Sequence, residues 1–287
     1  MSYQIIADYA CQLGEGPIWH PLQHRVYWTD IVNRRLYYYE PSEGIHQQCE
    51  YDGPMVGGIT VQADGALLLF REKGNIVIWR DGKVEKTICR EISGEQGHRF
   101  NDVWADPEGR VFCGTMGFQM EPGRFYRLEL DGSLTKLLDD VKVSNGMGLT
   151  PDGSGLYYTE TLAGTIWIFD YDRATGSLSN QRPFSAKSDV PGQPDGLVMD
   201  ARGRLWSARW EGGCIVCIGP DGALVQSIDL PARQVTSACF GGVNLATMYV
   251  TTAGGQERPD TGKYAGALFA IDAGVTGAQE HFSRVGL

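Results

Sequence analysis

Phe100–Phe112 reads FNDVWADPEGRVF: an apolar stretch, a break at Asp106-Pro107-Glu108-Gly109, then a second apolar stretch. Proline with its fixed φ, and glycine with its access to the left-handed region, make such a break a turn. The segment therefore reads as strand, polar turn, strand. Five other segments follow the same plan: GEGPIWHPLQHRVYW from Gly14, VGGITVQADGALLLF from Val56, SNGMGLTPDGSGLYY from Ser144, PDGLVMDARGRLW from Pro194 and TSACFGGVNLATMYV from Thr236. Aligned on the second strand at Val26, Leu67, Val111, Leu156, Leu205 and Met248, the copies stand 41, 44, 45, 49 and 43 residues apart. A period in the forties built from short strands predicts an all-β fold. The specific expectation is a six-bladed β-propeller with four-stranded antiparallel blades around a central channel.

Ten or eleven residues before each anchor stand Glu15, Gly57, Asn101, Asn145, Asp195 and Ser237. The first strand of a propeller blade lines the axis, so these positions should form a ring at one end of the channel. One Glu, two Asn and one Asp converging there make a set of hard oxygen ligands. Two carboxylates held close together resist joint ionisation. A divalent cation removes that cost, and oxygen ligands favour Ca²⁺, Mg²⁺ or Mn²⁺. Each residue also has a plainer reading. Glu15 between glycines suits a turn, Asp195-Gly196 suits a hairpin, and Asn101 and Asn145 suit capping. Their shared register argues for the site, and Asp195 lies at the opposite end of its hairpin from Asp200–Gly203. Asp152 and Asp221, in contrast, read as turn residues.

The 287 residues carry a net charge of −10, which argues against nucleic acid and anionic membrane as partners. Six blades use nearly all of residues 1–287, so a single propeller domain is expected. The segment 3–9 has no blade of its own and is expected to complete the last blade beside Ala267–Ile271, closing the ring. No run of about 18 apolar residues suggests a membrane span. The opening MSYQIIADYA lacks the form of a secretory signal, and seven scattered cysteines do not form a disulfide framework, so the cytoplasm is expected. Cys214 and Cys217 have metal-like spacing, but on a strand they face opposite sides. His20 and His24, flanking the first hairpin, read as turn or surface residues. Trp19, Trp104, Trp167 and Trp206 read as packing between blades.

The ordered motifs resemble those of the senescence-marker-protein/gluconolactonase/regucalcin family of six-bladed propellers. The residues that carry the resemblance begin with Leu13-Gly14-Glu15-Gly16-Pro17-Ile18-Trp19, Arg99-Phe100-Asn101-Asp102 and Gly114-Thr115-Met116. They continue through Ser144-Asn145-Gly146, Pro194-Asp195-Gly196, Cys239-Phe240-Gly241-Gly242 and Met248-Tyr249-Val250-Thr251. The resemblance implies one divalent metal held by Glu15, Asn145 and Asp195, with Ca, Mg, Mn, Zn or Fe all acceptable. It implies that Arg99 and Asn101 contact sugar hydroxyls and that Asp195 doubles as general base. A glutamate that contacts substrate in animal members has its counterpart at Glu121 or at Gln119.

The chemistry that follows is metal-assisted hydrolysis of a sugar-acid lactone such as gluconolactone or a pentonolactone. The metal acts as Lewis acid, and a carboxylate accepts a proton from water. Glu15 competes with Asp195 for the role of base. Two other functions fit the same mouth: phosphotriester hydrolysis, and a non-catalytic calcium-binding or regulatory propeller. Activity on lactones separates the first from both.

Overall fold

The structure, a computed structural model describing residues 3–186 and 190–287, turns each repeat into one four-stranded antiparallel sheet. Blade 1 runs Gly14–His20, Arg25–Asp30, Arg35–Glu40 and Ile45–Gln48. Blade 2 runs Val56–Val61, Leu67–Arg71, Ile76–Arg80 and Lys83–Cys89, and blade 3 runs His98–Ala105, Val111–Gly117, Gly123–Leu128 and Leu134–Val141. Blade 4 comprises Ser144–Leu149, Gly155–Glu160, Thr165–Asp172 and Ser177–Ala186; blade 5 comprises Gln193–Met199, Leu205–Trp210, Cys214–Ile218 and Leu224–Asp229. In blade 6, Val235–Gly241, Thr247–Thr252 and Leu268–Ile271 are joined by Tyr3–Ala7 as outermost strand, with Tyr3 opposite Ile271. The six sheets make a six-bladed β-propeller.

Burial falls from the axis outward, as the composition of the strands requires. In blade 2 the first two strands, VGGITV and LLLFR, are buried throughout, whereas the outermost, KVEKTIC, is mostly exposed. The core lies between blades as a series of aromatic and aliphatic layers. Between blades 3 and 4, for example, Phe125 packs on Tyr158 with ring centroids 4.6 Å apart. Trp206 is wholly buried, and its indole N–H donates to Asp200 Oδ2 at 3.0 Å; Trp19, Trp104 and Trp167 keep part of their surface exposed. Cys214 and Cys217 pack into different clusters on the two faces of their strand.

The first turn of each blade lies at the end of the channel away from Glu15. There Asp106 accepts from Arg110 Nε at 2.6 Å and from the Tyr171 hydroxyl at 2.9 Å, while Asp200 accepts from Arg204 Nε at 2.8 Å. His20 occupies the equivalent position in blade 1 and corrects the expectation of a surface residue. It is fully buried: Nδ1 accepts from the Gln23 amide at 3.2 Å, which leaves Nε2 to donate to Gly65 O at 3.1 Å.

Residues 272–287 run across this same face as a strap. Ala278 N–H donates to Met199 O of blade 5 at 3.0 Å, Ser283 N–H to Val61 O of blade 2 at 2.9 Å, and Arg284 N–H to Gly109 O of blade 3 at 2.9 Å. Val285 is fully buried in the cluster that holds Phe70. Burying that side chain stabilises by about 2 kcal/mol, and each hydrogen bond adds roughly 1 kcal/mol. Deleting residues 277–287 is therefore expected to lower Tm by about 10 °C. Scanning calorimetry checks this, and a shift under about 2 °C would make the strap a passenger.

Candidate active site

A strand alternates its side chains, so only every second residue of an innermost strand can face the axis. All six innermost strands break that rule at the same place. Each carries one extra residue relative to its partner: between Glu15 and Ile18, Val56 and Gly58, Phe100 and Val103, Ser144 and Met147, Pro194 and Leu197, and Val235 and Ser237. Such a bulge bends the strand and re-aims the side chains at it. Glu15, Asn101, Asn145, Asp195 and Ser237 are at or within these bulges, and all five are buried.

The bulges come together because the residues beside them are glycines. A Cβ on Gly146 would lie 2.1 Å from Leu197 N, one on Gly196 would lie 2.1 Å from Ser237 Oγ, and one on Gly57 would lie 1.9 Å from Phe100 O. The obstacle at Gly57 is backbone that cannot step aside. Gly57→Ala is expected to destabilise the chain by about 3 kcal/mol, measured by denaturant unfolding. A cost below about 1 kcal/mol would mean that the blades can shift apart.

The polar atoms at this mouth are only partly satisfied. Asn145 Nδ2 donates to Thr161 Oγ1 at 2.9 Å, which turns Oδ1 away, and that oxygen has no hydrogen-bond partner among the described residues. Asp195 Oδ1 is also buried and without a partner among the described residues, while Glu15 Oε2 accepts from the Gly16 amide at 3.0 Å. Buried oxygens left unpaired cost free energy unless something supplies positive charge. On blade 3, Asn101 Nδ2 donates to Ser144 O at 2.8 Å, and its Oδ1 accepts from Arg99 Nη1 at 2.6 Å. Arg99 Nη1 also donates to Phe100 O at 2.9 Å, so the guanidinium and amide are locked together.

Burial, and then the charges of Asp195 and Asp102, push the Glu15 carboxyl well above its usual range. Burial, followed by Asp102, does the same to Asp195. Asp102 itself is pushed up to about 7 by burial, with Arg99 opposing the rise. Burial lowers the Arg99 pKa, and Glu15, Asp102 and Asp195 counteract it. These three carboxyls resist ionising together in the protein alone, which is the condition a divalent cation relieves. Among the described residues no group of three or more His, Cys, Asp or Glu side chains could hold a metal ion. The donor set here is instead two carboxylates and the free amide oxygen of Asn145, a set that fits a hard cation.

Glu121 stands apart from this group. It is exposed on the loop after Met116, and its Oε2 accepts from the Gln119 amide at 2.9 Å, so it braces its own turn. Two acidic residues near the axis were missed in the sequence. Asp102 follows Asn101 and would alternate outward but for the bulge. Glu280 belongs to the strap, outside every repeat, and with Asp102, Gly16 and Ser237 it lines a cavity of about 50 Å³. Burial, then Asp102, pushes Glu280 up to about 7.

Residues 13–254 match the model of the SMP-30/Gluconolactonase/LRE-like region. The chain is 43% identical to pentonolactonase XacC of Haloferax volcanii over 296 residues, covering 100% of both proteins. It is 34% identical to regucalcin of Xenopus laevis, covering 88% of this chain and 87% of that protein. The crystal structure of a calcium-binding regucalcin from Agrobacterium tumefaciens superposes with a TM-score of 0.90 at 25% identity, covering 99% of this chain and 98% of the other.

Proposed function

The chain belongs to the SMP-30/gluconolactonase/LRE-like family, and from that premise we propose that it hydrolyses the ester bond of a sugar lactone to the open-chain sugar acid. The observation that carries this reading is the pair of buried, partnerless oxygens on Asn145 and Asp195, set beside Glu15 and the Arg99–Asn101 lock. Glu15, Asn145 and Asp195 would hold one divalent cation, with calcium, magnesium, manganese, zinc and iron all compatible. When bound there, the cation polarises the lactone carbonyl and makes nearby water more acidic.

Asp195 takes a proton from the attacking water as its oxygen bonds to the carbonyl carbon. The ring C–O bond then breaks, and the same proton passes to the leaving ring oxygen, which becomes a hydroxyl of the product. Asp195 suits this role because its carboxyl, ionised when a cation offsets the burial that raises its pKa, can accept a proton; Asn145 can ligate but cannot. The forked donors of Arg99 suit sugar hydroxyls or the charge that develops on the carbonyl oxygen. Asn101, held to Arg99 through its Oδ1, would share that contact. Glu121, on the exposed loop after Met116, would meet the substrate from that loop.

The likeness to a named pentonolactonase supports a five-carbon aldonolactone as substrate, with gluconolactone the next candidate. The likeness to regucalcins supports a second reading, calcium binding without turnover. One experiment separates them: a pH-stat assay over pentono- and gluconolactones, with chelator and with each metal added back. Hydrolysis that chelator abolishes and metal restores is the expected result. Calcium uptake with every lactone left intact would favour the second reading, and chelator-insensitive hydrolysis would remove the cation from the chemistry.

A further inference from the structure

Arg209, on the second strand of blade 5, is 5% exposed. A buried guanidinium normally meets a carboxylate, as Arg110 meets Asp106 at 2.6 Å. Arg209 meets two backbone carbonyls instead. Nε donates to Pro191 O at 3.3 Å and Nη2 to Gly192 O at 2.9 Å. No carboxylate among the described residues lies within ion-pair distance of it. Burial lowers its pKa, and Cys214 and Asp195 counteract that. Holding a cation out of water for two carbonyls is costly, so its location calls for a reason.

The surrounding backbone gives one. Gly192 has φ +74°, and a Cβ there would lie 2.3 Å from Trp210 O. A Cβ on Gly212 would lie 2.5 Å from Pro191 O. The rim segment Pro191–Gly192 is thus pressed onto the top of the second strand and clipped there by the guanidinium fork. Pro194 pairs with Arg209 itself, and the bulge that aims Asp195 begins at Pro194.

We propose that Arg209 is a positioning residue: by pinning Pro191 and Gly192 to blade 5 it fixes the start of the innermost strand and so sets Asp195 at the channel mouth. This rests on the reading of Asp195 as a cation ligand. Lysine in its place would keep the charge but lose the planar fork. Charge alone and clipping alone therefore give opposite results. If Arg209 acted only through its charge, R209K would bind a cation like the wild type, and R209Q would bind it more tightly, because a nearby positive charge has gone. If it acts by clipping, both variants bind more weakly.

The test is hydrogen exchange of the peptide Gln193–Met199, together with Mn²⁺ titration by calorimetry, on the full-length wild type, R209K and R209Q. The expected result is a tenfold loss of exchange protection in that peptide and a tenfold weaker Mn²⁺ affinity in both variants, with protection unchanged in blades 1 to 3. Wild-type exchange in R209K overturns the inference whatever R209Q does. Loosened exchange with unchanged Mn²⁺ affinity overturns it too, because the clipped segment would then not set Asp195. A wild-type chain that takes up no Mn²⁺ would instead sink the ligand reading, and exchange alone would then judge the clip.

Discussion

Asp195→Asn is expected to lower kcat for lactone hydrolysis by about 10³-fold at saturating cation, while Glu15→Gln keeps turnover within about tenfold of wild type once the cation is saturating. The two substitutions remove the same charge from the same mouth and are equally conservative in shape. Asparagine still presents an oxygen to a cation, but its amide cannot accept a proton at neutral pH. Glutamine at position 15 should weaken cation binding without touching the proton transfer. The loss in Asp195→Asn should therefore sit in kcat at every metal concentration, and that in Glu15→Gln in the metal concentration needed. Initial rates on a sugar lactone over a Mn²⁺ series, with Mn²⁺ affinity measured separately, give both numbers. A Glu15→Gln variant that stays inactive at saturating metal, beside an active Asp195→Asn, would exchange the two roles. Near-normal kcat in Asp195→Asn with metal bound would leave the mechanism without its base.

The fold was legible because its signals are local. Strand alternation, Asp-Gly turns such as Asp64-Gly65, and a step in the forties all lie within a few residues of one another, and packing between blades reinforces them. The ring register was legible for a related reason. A ligand-type residue followed by glycine recurs at Glu15-Gly16, Asn145-Gly146 and Asp195-Gly196, and the glycine is needed because a side chain at Gly146 or Gly196 would strike the neighbouring strand. The bulge was not legible, since one extra residue on a strand leaves no mark in composition. It is what brings Asp102 toward the axis directly after Asn101, against simple alternation. Glu280 escaped for a different reason: it comes from the strap, and only tertiary hydrogen bonds carry that segment beneath the channel. Arg209 reads in sequence as an ordinary strand residue, and that no described carboxylate pairs with it is visible only in three dimensions.

The carboxyls around the channel also bear on stability. Glu15 and Asp195 are pushed well above their usual range, chiefly by burial, and Asp102 and Glu280 are pushed up to about 7. An unfolded carboxyl titrates near about 4. Between that value and the raised one, the folded chain holds more protons than the unfolded chain, so stability falls as pH rises. For Asp102 and Glu280 the loss is complete above about 7; for Glu15 and Asp195 it continues higher. The buried His20 and the half-buried His281 act in the opposite direction, because burial lowers their pKa and favours the neutral ring as pH rises. The carboxyl contribution is therefore read as the difference between wild type and Glu15→Gln, which share those histidines. In chelator, the wild-type Tm is expected to fall more steeply than that of the variant from pH 5 to pH 8. A divalent cation competes with protons for Glu15 and Asp195, so it should stabilise more at pH 8 than at pH 5. At 100 to 1,000 times Kd its linkage is worth about 3–4 kcal/mol, or roughly 5–10 °C. Scanning fluorimetry over the two pH values, with and without Ca²⁺ or Mn²⁺, measures all of this. A cation increment equal at pH 5 and pH 8 would mean that these carboxyls are not the ones the cation meets, and parallel slopes in chelator would mean that Glu15 does not hold its proton on folding.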